Sequence, residues 1–197
     1  MKTALRALYV ISTLALAFGL FAPSQAHAQT EPVVATVEVL NTITLTEVDP
    51  LDFGIVAAIS DATDVATLAI DANSGALAAT TTGAPAVFAV IDNTTASQSL
   101  ITVEDAADGA ALNFTIGSVV NPILGPNAFL LTGWETSWNG GATTARTAGT
   151  PFSYTFSAAF ASGVNELRIG AEVRTQTTVA TYADGIYTGG FDLTASY

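Results

Sequence analysis

The stretch that most limits what this chain can fold into is its last one, residues 185–197. Every second position there, Gly185, Tyr187, Gly189, Phe191, Leu193, Ala195 and Tyr197, is glycine, aromatic or aliphatic, while Thr188, Asp192, Thr194 and Ser196 fill most of the gaps. A strand has a side-chain period of two, so one face of this segment belongs to a core and the other to water. Tyr197 is expected to close a sheet edge.

The same signature recurs upstream. Residues 33–40 place Val33, Ala35, Val37 and Val39 on one face and Thr36 and Glu38 on the other, and Ile43, Leu45 and Glu47 carry an alternation on to Asp49-Pro50. Residues 51–56 read as a short strand with Phe53 pointing inward and Gly54 permitting a bulge or a close backbone approach. Residues 66–70 and 76–81 flank Asp71-Ala72-Asn73-Ser74-Gly75 as a hairpin, and 86–91 form a further strand. Residues 100–103 and 111–116 read as a pair joined through Asp108-Gly109, a dipeptide suited to a tight turn. Asn121-Pro122 and Gly125-Pro126 bound an expected surface loop. Residues 129–138 are the most aromatic run, 142–150 a small, Thr-rich flexible stretch carrying Arg146, and 152–157 and 164–173 alternate again. Beyond the N-terminal run, no apolar set keeps a helical spacing over three turns. The expected fold is all-β: an antiparallel sandwich of about ten short strands.

Lys2 and Arg6 precede an apolar run over residues 7–22, and Pro23 and the small-x-small sequence Ala26-His27-Ala28 follow it. This is the pattern of a secretory signal, cleaved after Ala28 or Ala26, with residues 29–197 as one exported domain in the periplasm, at the cell surface or outside the cell. No second apolar run follows, so the mature chain is expected to have no membrane span.

Removing the signal strips the chain of its only Lys, His and Met, and it has no Cys. Arg146, Arg168 and Arg174 then face 17 carboxylates, a formal net charge of −14. Such a surface repels nucleic acid and anionic lipid, which need Lys or Arg to neutralise them. Without His, Cys or Lys there is no imidazole relay or zinc site, no thiolate nucleophile and no Schiff base. Only carboxylate chemistry is left, and no aromatic-flanked Glu pair marks a glycosidase. The chain is read as a non-enzyme with no cofactor.

Two weaker signals remain. Asp71-x-Asn73-x-Gly75 echoes part of a calcium loop but lacks a further side-chain ligand and a distal bidentate Glu, and its residues are ordinary turn formers. Trp134 and Trp138, four apart, share a strand face and are weak candidates for stacking on a sugar; aromatics are also what sandwiches bury.

Two motifs at opposite ends resemble a known family. Ile43-Thr44-Leu45-Thr46 followed by Leu51-Asp52-Phe53-Gly54, together with the alternating Gly185 to Tyr197 set, is similar to the secreted bacterial family of the domain of unknown function 4402. More distantly, the closing stretch resembles the last strand of spore coat U type and chaperone-usher pilin subunits, where a glycine and a near-terminal tyrosine stand twelve residues apart, as Gly185 and Tyr197 do. The resemblance implies an immunoglobulin-like, pilin-like surface subunit completed by β-strand addition from the next subunit. On that reading Val33, Val37 and Val39 supply the donor strand, and Phe53, Gly54, Gly185, Tyr187, Phe191 and Tyr197 line the acceptor groove. Identical subunits or an assembly chaperone would be the partners. The alternative is a self-contained periplasmic or surface module binding glycan through Trp134 and Trp138 or calcium near Asp71.

Overall fold

In the computed structural model, which describes residues 36, 42–81, 85–158, 165–178 and 181–197, the regular structure is strand throughout and every ladder is antiparallel. Leu40–Tyr197 forms one compact unit. Residues 33–35 and 37–40 of the expected donor strand lie outside the described residues.

Thirteen strands are assigned among the described residues: β1 (Thr44–Asp49), β2 (Ile55–Ile59), β3 (Ala66–Ile70), β4 (Leu77–Thr81), β5 (Val87–Asp92), β6 (Ser99–Glu104), β7 (Ala111–Leu124), β8 (Asn127–Ala128), β9 (Leu130–Trp138), β10 (Thr144–Ala145), β11 (Phe152–Thr155), β12 (Asn165–Arg174) and β13 (Thr188–Ser196). A seven-stranded sheet runs β1-β6-β12-β3-β4, with β9 on the other edge of β12 and β10 beyond it. A four-stranded sheet runs β11-β7-β13, with β8 hairpinned onto β7, and β2 and β5 make a separate ribbon.

The two larger sheets face one another across an apolar core. β12 lies at the centre of the first, and its alternate residues Leu167, Ile169, Ala171 and Val173 are buried. From the second, β7 contributes Leu112, Phe114 and Ile116, all fully buried. The contact between layers is aromatic: Phe114 lies 5.9 Å from Trp138 and Trp134 meets Phe191 edge-on at 4.8 Å. Such pairs add to the area they bury.

β9 reaches this core by changing phase. Leu131 is buried before Gly133, and Trp134 and Thr136 after it, because an extra residue of β9 stands opposite β12 between the Gly170–Glu135 and Glu172–Thr132 pairs. Gly133 has φ +60°, and a Cβ there would press on the Glu172 side chain. This glycine-centred bulge turns both tryptophans inward.

Several sequence expectations need correction. β6 and β7 do not form a hairpin: β6 pairs β1 and β12, β7 pairs β11 and β13, and the link through Asp108-Gly109 carries the chain from one sheet to the other. Gly109 N–H donates to Phe156 O, so its turn is spent on the crossover. Asn121-Pro122 is not in a surface loop but inside β7, at a register shift where β13 passes. Proline is tolerated there because a bulge does not require its missing N–H. The reversal comes at Gly125-Pro126, before β8. The 51–56 strand begins only at Ile55; upstream, Asp52 makes an isolated bridge to Ser97.

Candidate functional site

β13 is the element around which a site can be built. It pairs with β7 from Thr188–Ile123 to Ser196–Asn113, and among the described residues nothing pairs with its other edge. Its alternation is as the sequence indicates: Phe191, Leu193 and Ala195 turn toward the core, and Thr188, Asp192, Thr194 and Ser196 are exposed. Yet the inward residues are only half-buried, whereas their counterparts on β7 and β12 are closed off entirely. The difference is positional, since a strand lacking an outer neighbour leaves the flank of its own side chains uncovered.

Of the acceptor residues named from sequence, Gly185, Tyr187, Phe191 and Tyr197 belong to β13 or its flanks, while Phe53 and Gly54 precede β2. Tyr187 is half-buried, 4.8 Å from Phe129, which in turn stacks on Tyr182 at 4.2 Å. Burial holds the Tyr182 phenol above its ordinary range, and its hydroxyl accepts from Gln176 N–H and donates to Ala128 O. Gly185, outside the ladder, packs where a Cβ would meet Leu124. Phe53 is half-buried against the same core. Gly54 has φ +70°, and a Cβ there would sit 2.5 Å from Asp92 O; the close approach expected of that glycine is present, while the bulge nearby is on β5, where Ile91 is the extra residue.

Tyr197 stands just past the end of β13 and 45% exposed, so it is not a ladder residue. Its hydroxyl accepts from Ala107 N–H at 3.1 Å and reaches Thr42 O at 3.4 Å. The phenol thus ties the crossover between sheets to the residues leading into β1. The chain just upstream of β1 therefore stands at the C-terminal end of β13.

Sequence reading missed Gly189 as a determinant of this edge. A Cβ on it would lie 2.5 Å from Val120 O and 2.6 Å from Pro122 N, so only glycine lets β13 pass the irregular part of β7. The pattern Gly189-Gly190 opposite Asn121-Pro122 was the available signal. It also missed Arg146, whose stretch is held in place: Nε donates to Thr136 Oγ1 at 2.8 Å, Nη2 to Tyr154 OH at 2.9 Å, and the guanidinium lies 4.5 Å from the Phe152 ring centroid.

The weaker candidates have plain settings. Trp134 is buried, 4% exposed, and Trp138 stacks on Tyr154 at 5.1 Å. Asp71 Oδ1 accepts from Asn73 N–H, Ser74 N–H and Ser74 Oγ, the last two at 2.7 Å, closing the β3–β4 turn. The Ser74 hydroxyl and amide hold its carboxyl below the usual range. Among the described residues no three His, Asp, Glu or Cys side chains converge to hold a metal ion, and no helix is long and apolar enough to cross a membrane. What the site offers chemically is backbone N–H and C=O groups beside a partly covered apolar face. No family model, curated protein or solved structure significantly matches the chain.

Proposed function

We propose that this protein is a non-enzymatic exported structural subunit, pilin-like and immunoglobulin-like in plan, whose β13 edge takes up an added strand. The observation that carries this reading is the half-covered inner face of β13, Phe191, Leu193 and Ala195, at an edge with no described neighbour. An extended segment laid there would bond the outward N–H and C=O groups of β13 and cover those side chains with its own alternate residues. Val33, Val37 and Val39 have the spacing and the apolar character for it. The likeness of both ends to the secreted family, and of the closing stretch to the last strand of pilin subunits, supports the same arrangement. The donor comes from a second copy or folds back from the same chain.

The test is deletion of residues 33–40 from the exported chain, followed by size exclusion and denaturant unfolding. The expected result is that the intact chain forms oligomers or is clearly the more stable, and that a peptide spanning residues 31–41 restores what the deletion removes. A truncated chain that stays monomeric, folded and as stable as the intact one overturns the proposal.

A further inference from the structure

The β2–β5 ribbon has an outer face that is apolar between its ends. Its inner face is set by Phe88, buried, opposite Ala58, and continues to Val56 opposite Val90, which is itself 41% exposed. The other face therefore carries Ile55, Ala57 and Ile59 from β2 and Val87 and Ala89 from β5, and Ile91 is the extra residue of the bulge between the Val56–Val90 and Ile55–Asp92 pairs. Ile55, Ile59 and Ile91 are 57%, 55% and 67% exposed. An exposed two-stranded strip with three isoleucines and no polar residue between its ends is uncommon on a surface otherwise rich in Thr, Ser and carboxylate.

Each end of this strip carries a carboxylate. Asp92 stands opposite Ile55 and shares its face, and Asp61 follows Ile59 by two positions. Asp61 Oδ1 accepts from Thr63 N–H, Thr63 Oγ1 and Asp64 N–H, and Asp92 Oδ1 accepts from Thr94 N–H; among the described residues neither carboxylate is in an ion pair, the pairs being Arg168–Glu166 and Arg174–Glu172. A second copy would bring the same carboxylates and a net charge of −14 against its like. Size argues the same way. Five residues on two strands give a plan area of roughly 150 Å², far below the ~800 Å² per partner of a standard stable interface. The strip has the dimensions of a single extended segment.

We infer that the outer face of the β2–β5 ribbon docks a segment of another protein that is apolar along its length and carries Lys or Arg at both ends. The isoleucines supply the contact area, and Asp92 and Asp61 select the basic flanks. This does not rest on strand addition at β13. The segment over residues 31–40 carries Glu31 and Glu38 and no base, so it has the wrong charge for this strip.

The probe is a short peptide of alternating valine and threonine with two lysines at each end, titrated into the exported chain by calorimetry at low and at physiological salt. The control peptide has glutamates in place of the lysines. Ile55→Thr with Ile91→Thr keeps every carboxylate and, since both sites are exposed, leaves the unfolding midpoint in place; it should weaken the lysine peptide by about tenfold or more. Asp92→Asn should weaken that peptide and not the control. The inference is overturned if the double variant binds as the parent does, which would mean charge alone holds the peptide. Equal binding of the glutamate peptide overturns it as well. So does concentration-dependent dimerisation of the parent that the double variant abolishes, which would make the strip a contact between copies.

Discussion

Truncating Phe191 to alanine measures how far the inner face of β13 is covered. Phe114, on the neighbouring strand, is fully enclosed among Phe152, Trp138 and Tyr154; emptying such a site costs about 3–5 kcal/mol. Phe191 also faces the core, against the edge of Trp134, but is half-buried. Because the transfer and cavity terms scale with what was enclosed, Phe191→Ala in a chain lacking residues 33–40 should cost ~1.5–2.5 kcal/mol, its contact with Trp134 included. With the segment restored, the cost should rise toward the ~3–5 kcal/mol of an enclosed phenylalanine. Urea unfolding of the parent and variant, each with and without residues 33–40, gives the four midpoints and slopes required. Should Phe114→Ala leave too little folded protein to measure, Ile116→Val on the same strand supplies the enclosed reference, at about 0.5–1.5 kcal/mol. If Phe191→Ala costs the full enclosed amount in the truncated chain, or the same amount in both chains, β13 has no uncovered flank to fill.

Other consequences concern the frame around this edge. Gly189→Ala should destabilise by about 1–3 kcal/mol, since its Cβ meets β7 backbone atoms that cannot rotate away; thermal or urea unfolding checks this, with Gly190→Ala, which meets nothing, as the mild comparison. Tyr154→Phe removes the hydroxyl shared by Thr136 and Arg146 and should cost about 0.5–1.5 kcal/mol, with Arg146→Met less harmful on the Phe background than on the parent in a double-mutant cycle. The Asp71 carboxyl is held below its unfolded value of 3.8 by the Ser74 hydroxyl and amide, so its contribution is complete above that value and is lost as pH falls through the lower folded one. Asp71→Asn should therefore flatten the stability profile below about pH 4 relative to the parent and leave it parallel above, as read by unfolding midpoints across that range.

Where local chemistry decides a feature, the sequence made it legible. Asp71, Ser74 and Gly75 close a hairpin by hydrogen bonds within one turn, and the β3–β4 hairpin stands where those residues indicated. The alternation of β12 and β13 also carried through, because a half-buried strand writes its two faces into every second position. Features set by partners distant in the chain were not legible. Asp108-Gly109 is a sound turn dipeptide, but whether it joins two strands of one sheet or carries the chain between sheets depends on β12 and β13, which are far along the chain. Pro122 reads as a break until Gly189 is brought opposite. Trp134 and Trp138 share a face as their spacing implies, yet that Leu131 joins them there depends on the bulge at Gly133. The Ile-Val-Ala-Ala-Ile run of β2 has the composition of a buried strand, and only the ribbon it forms with β5 reveals which isoleucines remain in water. Of the site, the identity and inward facing of Phe191 and Tyr187 were in the pattern, and the closing stretch was expected at a sheet edge; that its one described partner is β7 came only from the topology.

Amide hydrogen exchange along β13 addresses the open edge most directly. Alternate β13 amides bond to β7, and those between them point to the outer edge. In the chain of residues 29–197 these intervening amides should exchange slowly, and in the chain lacking residues 33–40 they should exchange at the rate of exposed backbone while the β7-bonded set stays protected. Outer-edge amides that exchange equally fast in both chains, or equally slowly, would contradict the claim that this edge is completed by that segment.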